Sequence, residues 1–139
     1  MTALPARRCC LAALATVLSA TAAPAQAPAD TGIPSLVGTW SGKNNTISDK
    51  KGLLTRDRTV HITEQTDRRF RGHFVYEAGR KDFFGVIFPD NQSFVWVAQD
   101  SKGYNHGRIL GPDRISACYV EAWEEATAGC ADLARAPKP

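Results

Sequence analysis

Apolar and polar residues alternate along short segments from Leu36 onward, a pattern typical of strands with one buried face. The clearest case is Arg69–Glu77, where Phe70, Phe74 and Tyr76 share the even-numbered positions. Turn residues such as Gly, Asp, Asn and Pro separate the segments. The pattern predicts eight strands: Leu36–Lys43, Arg58–Gln65, Arg69–Glu77, Lys81–Phe88, Gln92–Gln99, Tyr104–Leu110, Arg114–Glu121 and Ala126–Arg135.

Eight consecutive strands joined by short turns predict an all-β fold, an eight-stranded antiparallel up-and-down β-barrel with no substantial helix after the N-terminal region. Eight is the strand number that closes into a small barrel holding a packed core or one ligand. The polar stretch Asn44–Asp57 is expected to be the longest connection. The last segment is rich in alanine and also allows a short helix. A strand is preferred because it places Cys118 and Cys130 opposite each other across a hairpin.

Parity along the first three strands predicts which side chains face the interior. Trp40 lies between two glycines and is expected to plug one end of the barrel. His61 and His73 have the opposite parity and are expected to face solvent, which argues against a metal or catalytic role. The aromatic interior suits a filled core or a ligand cavity equally well. The predicted inward set is Leu36, Gly38, Trp40, Val60, Ile62, Phe70, Gly72, Phe74 and Tyr76.

The region from Phe83 to Val97 is apolar on both faces, so its outer face is expected to be covered. In a single-layer barrel a second subunit is one cover, and on this interpretation the protein forms a homodimer through this region. The alternative cover is the Asn44–Asp57 stretch.

The N-terminus has the features of an export signal. Arg7 and Arg8 precede the apolar run Cys9–Ala23, and Ala25 and Ala27 fit a small-x-small cleavage site. The run is shorter than the roughly 20 residues of a spanning helix, so no membrane anchor is expected after processing. The predicted organisation is a signal peptide at 1–27, a linker at 28–35, the barrel domain at 36–135 and a tail at 136–139. The predicted location is the bacterial periplasm or the medium.

The net charge and the cysteine content limit the classes of binding partner that are expected. Cleavage would remove two of the 17 basic residues and none of the 14 acidic ones, leaving a net charge of +1. Nucleic-acid binding is therefore not expected, since it needs a concentrated basic face. After cleavage only Cys118 and Cys130 remain, and in an oxidising compartment they predict one disulfide. No metal site is expected, because no metal-ligand spacing accompanies the two cysteines.

Catalytic motifs are missing from the sequence. It contains no readable nucleophile elbow, phosphate loop or zinc helix, so we predict a non-catalytic protein without a cofactor. Charge is also uneven, with basic residues concentrated in 50–81 and acidic ones in 113–135. A dipolar surface of this kind supports an alternative function, an exported inhibitor or accessory subunit that binds another protein.

Gly38-Thr39-Trp40, an export signal and an eight-strand meander together resemble the calycin superfamily, which includes lipocalins and avidins. The resemblance implies a closed barrel that binds a small ligand. The avidin first strand carries an asparagine two residues after its tryptophan and a hydroxyl six residues after it, and both contact biotin. Here Thr46 retains the hydroxyl, but Gly42 replaces the asparagine. Biotin binding is therefore not expected.

We accordingly expect a small, mostly apolar ligand at the barrel mouth. Aromatic side chains would supply contact area, and a hydroxyl would orient the ligand. The predicted ligand-binding residues are Trp40, Thr46, Phe74, Tyr76, Trp96 and Tyr104.

Overall fold

The computed structural model describes residues 32–76 and 79–137 and forms one closed antiparallel barrel in which each strand pairs with the next and the last with the first. This confirms the predicted fold class. The predicted signal peptide lies outside the described residues. Within those residues, no helix is long and apolar enough to cross a membrane. The strands are β1 (Gly38–Ser48), β2 (Gly52–Thr66), β3 (Arg69–Tyr76), β4 (Gly79–Ile87), β5 (Ser93–Ala98), β6 (Tyr104–Gly111), β7 (Arg114–Glu121) and β8 (Thr127–Arg135).

The predicted long connection Asn44–Asp57 is wrong. β1 and β2 continue through it as a ladder that ends in a short turn at residues 49–51. Cross-strand polar contacts hold this extension: Lys43 forms an ion pair with Asp57 at 2.7 Å, and the Thr55 hydroxyl donates to Asn45 at 2.8 Å. The alternation of apolar residues is lost here because most inward positions, such as Asn44, Thr46 and Arg56, are themselves polar.

Trp40 closes one end of the barrel. Its side chain is fully buried, and its indole N–H donates to the Leu36 carbonyl at 2.8 Å. The Arg135 guanidinium lies 4.1 Å from the centre of the Trp40 ring, and it donates to the backbone carbonyls of Ser35, Val37 and Pro112. One cation therefore joins the last strand, the turn before β7 and the segment before β1. We call this end the base of the barrel.

Aromatic rings fill the interior above the base. Phe94 and Phe83 stack on Trp96, with ring centroids 5.1 and 5.0 Å away, and Phe74 stacks on Phe83 at 6.4 Å. Tyr76 continues the series at 5.9 Å from Phe74. We call these five residues the aromatic column; it runs from near the base to the opposite end, the mouth.

Two inward glycines make room for aromatic rings, one for Phe94 in the column and one for Phe70 beside it. A Cβ at Gly107 would lie 2.1 Å from the Phe94 ring, and one at Gly85 would lie 2.3 Å from the Phe70 ring. The lower half of the barrel is therefore a close-packed core, and the space that these glycines leave is filled by rings.

The predicted disulfide is confirmed. Cys118 and Cys130 are directly paired across β7 and β8, and both lie on the outer face of the barrel. The bond closes a loop with a sequence separation of 12, which the chain-entropy model values at about 3 kcal/mol. It covalently joins β7 to the strand that closes the barrel.

The outer wall carries a line of apolar side chains, one per strand over seven strands. Phe84 is 54 % and Leu53 is 82 % exposed. Adjacent members are direct cross-strand partners, and we call the set the outer apolar row: Phe84, Val97, Tyr104, Val120, Ala128, Ile47 and Leu53.

His61 and His73 pair across β2 and β3 on this outer wall, as the parity predicts, and their rings stack at 4.8 Å. The Nδ1 atom of His61 lies 3.1 Å from the Thr39 hydroxyl. Burial lowers the pKa of the His73 imidazole, and the neighbouring Arg80 and His61 lower it further, whereas Asp82 opposes them. The His73 imidazole therefore takes up a proton less readily than a free imidazole does.

Replacing Arg135 with alanine should lower the free energy of unfolding by about 2–3 kcal/mol, since both the cation–π contact and hydrogen bonds to carbonyls are lost. Urea unfolding followed by tryptophan fluorescence measures this. Arg114→Ala is the matched control, because this exposed arginine lies near the same end, and it should change stability by less than about 0.5 kcal/mol. Equal losses in the two variants would contradict the role assigned to Arg135.

Stability should fall as the pH is lowered from about 6.5, the ordinary histidine pKa, because the unfolded chain then binds a proton that folded His73 resists. Above this range both states are neutral at His73 and it contributes no pH dependence. Urea midpoints measured between pH 7.5 and 5 test this. His73→Gln should flatten the dependence more than His106→Gln does; an unchanged slope in His73→Gln would contradict the assignment.

Candidate functional site

The barrel interior changes from apolar to polar above the aromatic column. A cavity of about 230 Å³ opens there, with Phe74, Tyr76 and Ala98 as its apolar lining. Its other lining residues carry hydrogen-bonding or charged groups: Arg58, Lys81, Ser101, Asn105 and Tyr119. They come from β2, β4, β6, β7 and the loop before β6. Five parts of the sequence thus converge on one cavity, which we call the mouth cavity.

Arg58 is one of the two cations that line this cavity, together with Lys81. It has the same parity on β2 as the buried Val60, and its guanidinium lies 5.0 Å from the centre of the Phe74 ring. Burial lowers the pKa of Arg58, and Tyr119 partly opposes the shift. A guanidinium still stays protonated at neutral pH. Among the described residues, no carboxylate forms an ion pair with it.

Asn105 is the buried polar residue of the cavity. It is 2 % exposed, and its Oδ1 atom has no hydrogen-bond partner among the described residues. Its cross-strand partner Trp96 also faces inward, and the buried indole N–H of Trp96 is unpartnered too. Buried polar atoms are rarely left without a partner, so the neighbouring Asn105 and Trp96 mark a place where a ligand atom would pair with the protein. Three other buried atoms also lack a partner among the described residues, namely Oδ1 of Asn44, Oδ1 of Asn91 and Nδ1 of His73, and none of these residues lines the mouth cavity.

Tyr119 forms the polar wall on the β7 side. Its hydroxyl lies 3.0 Å from the Ser101 hydroxyl and donates to the Glu121 carboxylate. Burial and the contact with Glu121 raise the pKa of the Tyr119 phenol. The phenol therefore stays neutral, and the hydrogen bonds fix its orientation toward the cavity.

Contacts between two turns organise the rim of the mouth. The Ser48 hydroxyl donates to Glu125 at 2.8 Å, and Lys51 forms an ion pair with the same carboxylate at 3.1 Å. Both contacts lower the pKa of Glu125, with the Ser48 hydrogen bond as the larger cause. The turn after β1 is thereby held to the loop before β8, across the seam where the barrel closes.

The six residues predicted to bind ligand do not form one site. Phe74 and Tyr76 line the mouth cavity, and Trp96 lies below them in the aromatic column. Trp40 is at the opposite end of the barrel. Thr46 faces a separate depression of about 310 Å³ at the rim. Tyr104 points outward, as part of the outer apolar row.

Sequence reasoning missed Arg58, Asn105 and Tyr119. The signal for Arg58 was its even-numbered position on β2, shared with Val60 and Ile62. Asn105 gave no apolar signal, because its inward neighbour two residues along is Gly107. The position of Gly42 is also explained: a Cβ there would lie 1.9 Å from the Asp132 carbonyl oxygen, so an avidin-type asparagine has no room.

Besides the depression that Thr46 faces, three others are larger than the mouth cavity. One, of about 760 Å³, is at the base, where Arg135 donates hydrogen bonds to neighbouring carbonyls. Another, of about 550 Å³, lies on the outer wall beside Tyr104 and Val120. The third, of about 510 Å³, is lined by Arg71 and Phe84. The mouth cavity is the better candidate site because the unpartnered Asn105 lines it. In the described part of the chain, no cluster of three or more His, Cys, Asp or Glu side chains could hold a metal ion.

No protein-family model matches the chain, and no curated protein matches it. A redesigned β-barrel is similar in fold, with 11% sequence identity and a TM-score of 0.47 over 73% of this chain and 92% of that one. A de novo designed fluorescence-activating β-barrel is similar with 14% identity and a TM-score of 0.45, over 72% and 93% of the two chains. Both similarities concern the barrel fold alone, and membership of the calycin superfamily stays a hypothesis.

Proposed function

We propose that this protein is an exported, non-catalytic barrel that binds a small, mostly apolar ligand in the mouth cavity. The observation that carries the proposal is the unpartnered, 2 % exposed Asn105 in the wall of a cavity whose lining includes Phe74 and Tyr76. A few polar groups set into an aromatic surface are the usual composition of a small-molecule site.

Leaving the Asn105 side chain without a hydrogen-bond partner costs free energy in the unliganded protein. An unsatisfied buried polar group costs about 1–3 kcal/mol, and an apolar side chain at Asn105 would avoid that cost. The lower half of the barrel contains such apolar replacements, since Ala117 and Ala131 fill inward positions there. A ligand that pairs with Asn105 would recover the cost on binding.

Export is proposed on two features. The first is the signal-like sequence with Arg7, Arg8 and the apolar run after them. The second is the disulfide between Cys118 and Cys130, since such bonds persist in oxidising compartments.

Titration with the neutral fluorescent probe N-phenyl-1-naphthylamine tests ligand binding. We expect saturable binding, and Phe74→Ala should weaken it about tenfold or more because a large contact surface is removed. Val75→Ala is the matched control, since Val75 faces outward on the same strand, and it should leave the affinity unchanged. A flat titration of well-folded protein, or equal effects of the two variants, would contradict the proposal.

A second candidate function, protein interaction, is favoured by the outer apolar row. The predicted Phe83–Val97 region contributes Phe84 and Val97 to it, whereas Phe83, Phe94 and Trp96 are in the core. Continuous exposed apolar patches are typical of association surfaces. We propose that the row supports a homodimer, with hetero-association through the dipolar charge pattern as the alternative.

Light scattering over a concentration series tests self-association. We expect the molar mass of a dimer at high concentration. Phe84→Glu should shift the protein toward monomer, since a dimer would bury the new charge. Thr63→Glu adds the same charge at an exposed position of β2 and should not do so. A monomer at every concentration would exclude the homodimer.

A further inference from the structure

We propose that the ligand of the mouth cavity is a small anion with a flat apolar body, whose carboxylate or equivalent acid group binds to Arg58. The inference rests on the proposed function and adds the chemical class of the ligand. Its basis is the charge, the stacking geometry and the size of the cavity.

Arg58 lacks the partners that an enclosed guanidinium normally has. No described residue forms an ion pair or accepts a side-chain hydrogen bond from it, and its close contact is the Phe74 ring at 5.0 Å. Cations taken out of water are usually paired, because desolvation is costly. A planar guanidinium with its N–H groups free presents the geometry that a carboxylate matches with two parallel hydrogen bonds.

The surrounding charges favour an anion over a neutral ligand. Lys81 adds a second cation to the lining. The nearby carboxylate of Glu121 accepts a hydrogen bond from the Tyr119 hydroxyl. This contact holds the carboxylate against β7. The other acid close to this end of β4, Asp82, faces outward and is paired with Arg80 at 2.8 Å. The lining of the mouth cavity therefore carries positive charge.

The shape of the cavity limits the apolar part of the ligand. Phe74 and Tyr76 present two ring faces tilted by 46°, and Phe74 is itself supported by Phe83. The volume of about 230 Å³ is below the roughly 300–1,000 Å³ of sites for drug-sized molecules. A short aromatic acid fits this description, and a long acyl chain does not.

Calorimetric titration of 2-naphthoate and its neutral analogue 2-naphthamide tests the inference. Wild type should bind the naphthoate about 10- to 100-fold more tightly, as expected for hydrogen bonds to a charged partner. Arg58→Gln should remove most of that preference while the naphthamide affinity stays nearly constant. Arg58→Lys should restore part of it. Arg80→Gln is the matched control, because this exposed arginine faces outward near the same end of β4 and pairs with Asp82, and it should retain the preference.

Thermal unfolding of each variant establishes that it is folded, and Arg58→Lys provides a second reading if Arg58→Gln is not. Equal affinities of wild type for the two compounds would overturn the anion assignment but leave ligand binding intact. A preference that survives in both Arg58 variants would overturn the role of Arg58. Absence of binding for naphthoate, naphthamide and the neutral fluorescent probe alike would overturn the proposed function itself.

Discussion

The contact between Arg135 and Trp40 is the interaction on which the closed barrel depends. A sheet of eight strands becomes a barrel only if its last strand returns to its first, and Arg135 stands at the end of β8 where this happens. Its guanidinium covers the Trp40 ring and donates hydrogen bonds to the carbonyls of Ser35 and Val37. The segment before β1 is therefore held across the base. One side chain thus seals the core and joins the two ends of the sheet. The pairing of β1 with β8 then has a fixed register, which positions every inward side chain above it.

The barrel divides its interior between stability and binding. Below, the aromatic column and the residues around it reach the dense packing of a core, and little space remains between the rings. Above, Arg58, Asn105 and Tyr119 replace apolar side chains, and the packing gives way to a cavity. Phe74 belongs to both parts, because it stacks on Phe83 below and lies under Arg58 above. The rigid lower half therefore supports the surface on which a ligand would rest, and the filled core and the ligand cavity that the sequence left as alternatives occupy different halves.

Alternation predicted the strands wherever one face was apolar, and it failed where the inward face was polar. Alternation therefore identifies β3 from the sequence, but it predicts a loop where β1 and β2 extend through Asn44 and Arg56. The same cause hid the candidate site, since its inward residues look like surface residues in a sequence. In β6 the inward residues Asn105 and Gly107 are not apolar, so alternation does not show which face of this strand is inward, and the structure places Tyr104 on the outer wall. Only the register of all eight strands decides these positions.

Ring closure also governs how the molecule can come apart. Arg135 and Val37 are 98 residues apart in the chain, so their contact forms against a large loss of chain entropy and only after the intervening strands are in order. Once it has formed, every strand is paired with a neighbour on each side, although the described part of β2 before Thr59 is paired with β1 alone. The disulfide prevents β7 from separating from β8. If the barrel opens, it must therefore open between two other strands. A barrel of this kind should unfold as one cooperative unit, because separating any strand pair opens the ring and exposes two new edges.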